Sequence, residues 1–192
     1  MLSNITEDKQ KGIDGHNPWN KEAKLLEAAV LKEYGVDSVQ QLPFNFDAYR
    51  MQKGEEHEAE IYFKHYALLK QTYEQQSQTY KMAAALSPFL PTRFLSMAIA
   101  RTDYQAHWDF ADAAEKYRIN MQAALNDNFA KNSTYGDWDY KADKSLWTSI
   151  PDFSYTPITM GEILERNSSN IVILFSWLFI SFVGLWLAAR KI

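Results

Sequence analysis

Apolar residues recur at helical spacing through most of the chain, then run unbroken near its end. In "WNKEAKLLEAAVLKEYG", Trp19, Ala23, Leu26, Ala29, Val30 and Tyr34 recur near a 3.6-residue period, and Gly35 supplies a stop. That spacing predicts a helix. "VDSVQQLPFNF" follows as a turn-like segment interrupted by Pro43. From Gly54 to Leu86 no further Gly or Pro occurs, and Ala, Glu, Gln, Lys and Leu dominate, which predicts one long helix. Ile61, His65, Leu68 or Leu69, Thr72 and Gln76 share a face of it, with Glu60 and Lys64 paired one turn apart on another. Ser87 and Pro88 fit the cap and first position of the next helix, within "SPFLPTRFLSMAIA". A further helix is predicted from about Asp103 to Asn132, aided by Asp112 and Lys116.

Two stretches lack a helical period. Residues 1–18 are polar and end in the turn-prone "GIDGHNP", so they read as a connector. Residues 133–158 hold Gly136, Pro151, Pro157 and several aromatics, and read as an ordered loop packing its rings on the helices. Thr159 then caps a helix expected to enter a membrane by Asn170. Ile171 to Ala189 contains no charge, and Arg190 and Lys191 follow at once. Nineteen residues in helix reach about 28 Å, close to the ~30 Å hydrocarbon thickness. A soluble core would have to enclose such a helix on every side, which a chain of 192 residues does poorly. The expected fold is therefore all-α: a connector over 1–18, a helical domain over 19–158, and a stalk with one transmembrane helix over 159–192, the span lying at about 170–189.

Charge refines this picture. The formal charge is −4 even with Arg190 and Lys191 counted, so the residues before them are more acidic still. No Lys/Arg cluster could neutralise a row of phosphates, and nucleic acid is not an expected partner. Arg190 and Lys191 outweigh Arg166 across the span, which favours a cytosolic C-terminus and an extracytoplasmic domain. "MLSNITEDKQKGIDG" has no apolar core and is not a signal peptide, so insertion falls to the final helix or to a segment upstream. With no cysteine, disulfides, zinc–thiolate sites and thiol catalysis are excluded together.

Candidate chemistry is sparse. His57 and His65 stand eight residues apart on the predicted long helix, about 80° and ~12 Å from each other, too far to share one metal ion unaided. Four glutamates surround His57 in "GEEHEAE", a pattern more typical of a solvated helix surface than of a metal site. Asp103 and His107 lie one turn apart, a spacing that allows the carboxylate to orient the imidazole in a half-buried pair. His57, His65, Asp103 and His107 are the metal candidates. No Gly-Lys-Ser/Thr loop, G-x-S-x-G, H-E-x-x-H or calcium loop occurs, so neither catalysis nor a cofactor is expected in this chain. In the tail, Trp177, Ser181, Gly184 and Ala188 fall on one helix face, and Gly184 with Ala188 forms a small-xxx-small pair that admits a neighbouring helix.

Several longer words carry a resemblance. "GIDGHNP", "YGVDSVQQLPFNF", "GEEHEAEIYFKHY", "ALSPFLPTRFLSMAIARTDYQAHWDFADAAEKYR" and "LWTSIPDFSYTP" succeed one another as in certain bacterial ABC-2-type ABC transporter permeases. In those, a large extracytoplasmic domain of unknown function sits between two membrane helices. The chain resembles that domain plus the following span, from about Gly12 to the end of the tail. The resemblance implies a permease component in the bacterial cytoplasmic membrane. Its expected partners are the remaining permease helices and a cytosolic ATP-binding subunit, which would use the ATP. A permease half has several spans and this chain has one, so it is expected to be a piece. Arg101 stands where the family pattern has a small residue, and Ala106 where it has a second histidine, which weakens a metal reading of that segment. The alternatives are a single-pass membrane-anchored binding protein and a periplasmic metal-binding module.

Overall fold

A computed structural model describes residues 2–190 as helices joined by turns, with no β-strand among the described residues. The helices are α1 (Leu2–Gln10), α2 (Lys21–Tyr34), α3 (Phe46–Ala83), α4 (Phe89–Ile99), α5 (Tyr104–Asn132), α6 (Lys144–Ser149), α7 (Met160–Arg166) and α8 (Ser168–Ala189). They form two compact units. One comprises Met1–Leu69 with Glu115–Phe153, the other Lys70–Ala114 with Ser154–Ile192. The all-α expectation holds, and α8 is the helix long and apolar enough to cross a membrane.

In the first unit, α2 starts where the Asn20 side chain accepts the Ala23 N–H at 2.9 Å. It stops at Gly35, whose φ of 63° is the left-handed end that glycine adopts without strain. Val30 on α2 packs with Val39, Leu42 and Phe46, and Phe46 is fully buried. The helix α3 begins eight residues before Gly54, because Asn45 supplies its entry. The Asn45 amide donates to Ser133 Oγ and to the Thr134 carbonyl, both at 2.8 Å, and its backbone N–H reaches the Ala130 carbonyl at 2.8 Å. These bonds fasten the start of α3 to the end of α5. Farther along, Arg118 of α5 bridges Glu115 and Glu55, and Asn126 donates to Gln52.

Gly54 lies inside α3, at a place where the chain passes over it. A Cβ there would stand 2.6 Å from Gly15 N and 2.7 Å from Gly15 Cα, both backbone atoms that cannot swing aside. Alanine usually stabilises a helix interior by up to about 1 kcal/mol relative to glycine. Here the sign reverses. Gly54→Ala is expected to destabilise by about 1–3 kcal/mol, read as a lower denaturant midpoint at unchanged slope. A raised midpoint would show that the close approach is not rigid.

In the second unit, α4 packs chiefly on α8, and Pro91 and Ala98 are its buried residues. Its C-terminal end is closed by Thr102 N–H to the Met97 carbonyl at 2.9 Å and Arg101 N–H to the Ala98 carbonyl at 3.0 Å. Arg101 takes φ 57°, the left-handed region that glycine adopts without strain and a larger side chain adopts at a cost. Its guanidinium donates to the Ile158 carbonyl at 3.2 Å.

Three further expectations need revision. Residues 1–18 are more than a connector, since α1 occupies half of them. Ser87 does not cap α4 from the N-cap position, which is Pro88; its hydroxyl accepts the Phe89 N–H at 3.3 Å from one residue earlier. The aromatic loop contains α6, whose start is capped by Asp143.

Candidate functional site

The tail is built in two pieces. Thr159 and Glu162 form a reciprocal capping box at the start of α7, the Thr159 hydroxyl and N–H each donating to Glu162 Oε2 at 2.7 Å. The Thr159 hydroxyl holds the Glu162 carboxyl below the usual carboxylate range. Arg166 at the end of α7 pairs with Asp109 at 2.9 Å. Asn167 then breaks the helix, and its side chain bonds the Ile163 carbonyl and the buried Asn170. The continuous helix predicted from Thr159 is thus two helices, because Asn167 leaves the α region there.

From Ser168, α8 runs 22 residues, about 33 Å. Asn170 is its buried residue, and every residue from Leu178 to Arg190 is exposed. At the far end the Arg190 guanidinium sits 4.0 Å over the Trp186 ring, an arrangement suited to a membrane–water boundary. The four-residue face predicted in the tail divides. Trp177 is half-buried and its indole N–H donates to the Ala85 carbonyl at 3.2 Å. Ser181, Gly184 and Ala188 are open, and a Cβ at Gly184 would meet nothing within 4 Å.

The histidines take separate roles. His65 is buried on α3, its Nε2 2.9 Å from Asp8 Oδ2, and Asp8 also receives Lys64 Nζ at 2.7 Å. With Lys9–Glu58 at 2.9 Å, these pairs dock α1 on α3. His57 lies half-buried against Gly12, where a Cβ would overlap the imidazole. Its Nε2 is buried without a hydrogen-bond partner among the described residues. The Asp103–His107 pair does not form. Asp103 Oδ1 accepts the Ala106 N–H at 3.0 Å and so caps the start of α5, while the exposed His107 ring meets Trp108 edge-on at 5.7 Å. Among the described residues, no three His, Cys, Asp or Glu side chains come close enough to hold a metal ion.

A family model, a domain of unknown function designated DUF3526, matches residues 2–156. The chain belongs to the DUF3526 family. No curated protein and no solved structure matches it. The DUF3526 match runs from α1 through α6 and contains all four histidines, whereas α7 and α8 lie beyond it.

Within the DUF3526 region, Asp8 is the residue that sequence reading missed. A connector gives no signal that one of its carboxylates will meet a histidine 57 positions away. Hydrogen bonds from Lys64 and then His65 hold the Asp8 carboxyl well below its ordinary value of 3.8. A depressed carboxyl contributes stability that is present above the unfolded value and lost as pH falls through the folded one. Docking of α1 should therefore weaken progressively below pH 3.8. Proteolysis of the α1–α2 connection between pH 5 and 2 by an acid protease reads this, and Asp8→Asn should flatten the profile. An unchanged profile in Asp8→Asn would assign the acid sensitivity elsewhere.

Proposed function

We propose that this chain is a membrane permease component of an ABC-2-type ABC transporter, its DUF3526 domain extracytoplasmic and its C-terminus cytosolic. The carrying observation is α8: long and apolar enough to span, with none of its most apolar 18-residue window buried within the chain. A core helix of a soluble protein would be covered. The exposed Ser181, Gly184 and Ala188 support helix neighbours from the rest of a permease, since small residues let backbones approach closely. The words shared with ABC-2-type permeases point the same way, and the excess of Arg190 and Lys191 over Arg166 supports the orientation. The domain would shape or gate an export path while a separate ATP-binding subunit supplies the energy.

Affinity purification of the chain from its native membranes in mild detergent tests this. An ABC-type ATP-binding subunit should accompany it, and Gly184→Leu should reduce that yield by closing the small-residue face. A chain recovered free of any ATP-binding protein, with Gly184→Leu behaving identically, would favour a single-pass anchored binding protein instead.

A further inference from the structure

The second unit holds an apolar hairpin tip whose depth is set by α8. Trp177 lies six residues inside the apolar run that begins at Ile171, about 9 Å along the helix axis. Its indole N–H bonds the Ala85 carbonyl, and Ala85 belongs to the 3-10 turn Ala84–Leu86 between α3 and α4. A turn bonded at that level shares the depth of Trp177. From the turn, α4 returns along α8, and Arg101 just beyond it reaches the Ile158 carbonyl immediately ahead of α7. The tip thus points along α8, and its base lies where α8 emerges.

The tip's surface suits hydrocarbon. Met82, Leu86 and Phe89 are 71%, 82% and 68% exposed, and no charged residue lies between Lys81 and Arg93. In water, such large side chains clustered on one turn would be an unfavourable patch. Lys81 stands about one helical turn before the Ala84–Leu86 turn and Arg93 about two after it, from where long side chains reach the headgroups. Tyr80 is exposed beside Lys81, a residue type favoured at that boundary.

The backbone suits it too. Hydrocarbon admits a turn only if its polar groups are satisfied internally. Of the four N–H positions that open α4, Pro88 and Pro91 have no N–H to leave unpaired, and Phe89 N–H donates to Ser87 Oγ. Ser87 N–H donates to the Ala84 carbonyl at 3.4 Å, and Thr92 Oγ1 donates to the Pro88 carbonyl at 2.7 Å. The Ala85 carbonyl takes the Trp177 indole. Two prolines and three side-chain donors or acceptors thus do at this turn part of what water would otherwise do, the Leu90 N–H being the opening position they leave out.

We propose that residues 82–92 enter the bilayer as a re-entrant hairpin beside α8, with lipid acyl chains as the occupant of the Met82–Leu86–Phe89 surface. The inference rests on α8 being a span. Because the chain has no cysteine, single substitutions can carry a nitrobenzoxadiazole label without further engineering. The full chain bearing Leu86→Cys or Phe89→Cys is placed in phosphatidylethanolamine–phosphatidylglycerol vesicles whose acyl chains carry a doxyl quencher. Val183→Cys serves as the mark for α8, and Lys141→Cys, exposed in the loop after α5, as the aqueous control. Labels at 86, 89 and 183 should show blue-shifted emission and lose intensity to the quencher, while the label at 141 should not. Quenching at 183 with water-like emission at 86 and 89 would overturn the hairpin and leave the span standing. No quenching at 183 would overturn the span, and the hairpin with it. Labels at 86 and 89 shielded from both the lipid quencher and aqueous iodide would report a protein cover, and also overturn the proposal.

Discussion

Replacing Arg50 by alanine is expected to cost about 3–5 kcal/mol of stability, a large share of what a domain of this size possesses. The Arg50 side chain is 4% exposed and that of its partner Asp47 5%, with Nη2 3.0 Å from Asp47 Oδ1. Arg50 Nε also donates to the Gly15 carbonyl at 3.1 Å. One guanidinium therefore neutralises a buried carboxylate and fastens the Gly15 loop to α3. Without it, the Asp47 carboxylate keeps the hydrogen bond from the Gly136 backbone N–H at 3.3 Å and remains a buried charge. The loss is thus mostly the penalty of that stranded carboxylate, not the value of the pair itself. Lysine should recover little, because an ammonium cannot serve both partners in the guanidinium's fork geometry. Asp47→Leu combined with Arg50→Met should recover more than lysine does, since it removes both charges. Guanidinium unfolding of the full chain in detergent measures all three. A loss under about 1 kcal/mol for Arg50→Ala would mean that water reaches Asp47 once the arginine is gone.

The contrast between α2 and α1 marks what a sequence can disclose here. The helix α2 announces itself through apolar periodicity, the Asn20 cap and the Gly35 stop, all local. So do most of α3 and α5 and the apolar run of α8. The helix α1 has no apolar stripe; it is tied to α3 by ion pairs to Glu58, Lys64 and His65, and pairing across more than 45 residues leaves no periodic trace. Gly54 misled the placement of the α3 start for a related reason. A glycine usually punctuates a helix, but this one lies within α3 because Gly15 crosses it. Asp103 followed the same logic in reverse: the i,i+4 spacing to His107 was correct, and the nearer Ala106 N–H takes the carboxylate. The apolar run of α8 was legible from composition alone, but the turn bonded beside it was not. Its apolar tip reads as an ordinary helix junction until Trp177 is seen bonded to Ala85.

A chain ending at Asn167 should leave the carbonate-resistant membrane fraction and keep its helical far-UV spectrum, yet it should self-associate. From the pattern of apolar residues alone, cutting before Ile171 promises a soluble monomer, because the run of exposed apolar residues goes with the cut. The packing of α4 on α8 changes that expectation. Its Pro91, Phe94, Leu95 and Ala98 fall at i, i+3, i+4 and i+7, with Pro91 and Ala98 buried and Phe94 and Leu95 half-buried. Removing α8 exposes this stripe. Phe and Leu contribute roughly 1.5–3 kcal/mol each when fully buried, so uncovering two half-buried side chains forfeits about 2–3 kcal/mol. That is less than the 5–15 kcal/mol typical of a domain, so the helices should survive. It is enough to make a second copy an attractive cover, since the bared stripe adjoins the already exposed Leu86 and Phe89. Size-exclusion chromatography with light scattering should therefore give dimers or larger species for the shortened chain. Adding Phe94→Gln and Leu95→Gln should return it toward a monomer with an unchanged helix signal. A shortened chain that is monomeric without these changes would mean that α4 finds other cover when α8 is absent, and that the tip is less committed to the span than its bond to Trp177 implies.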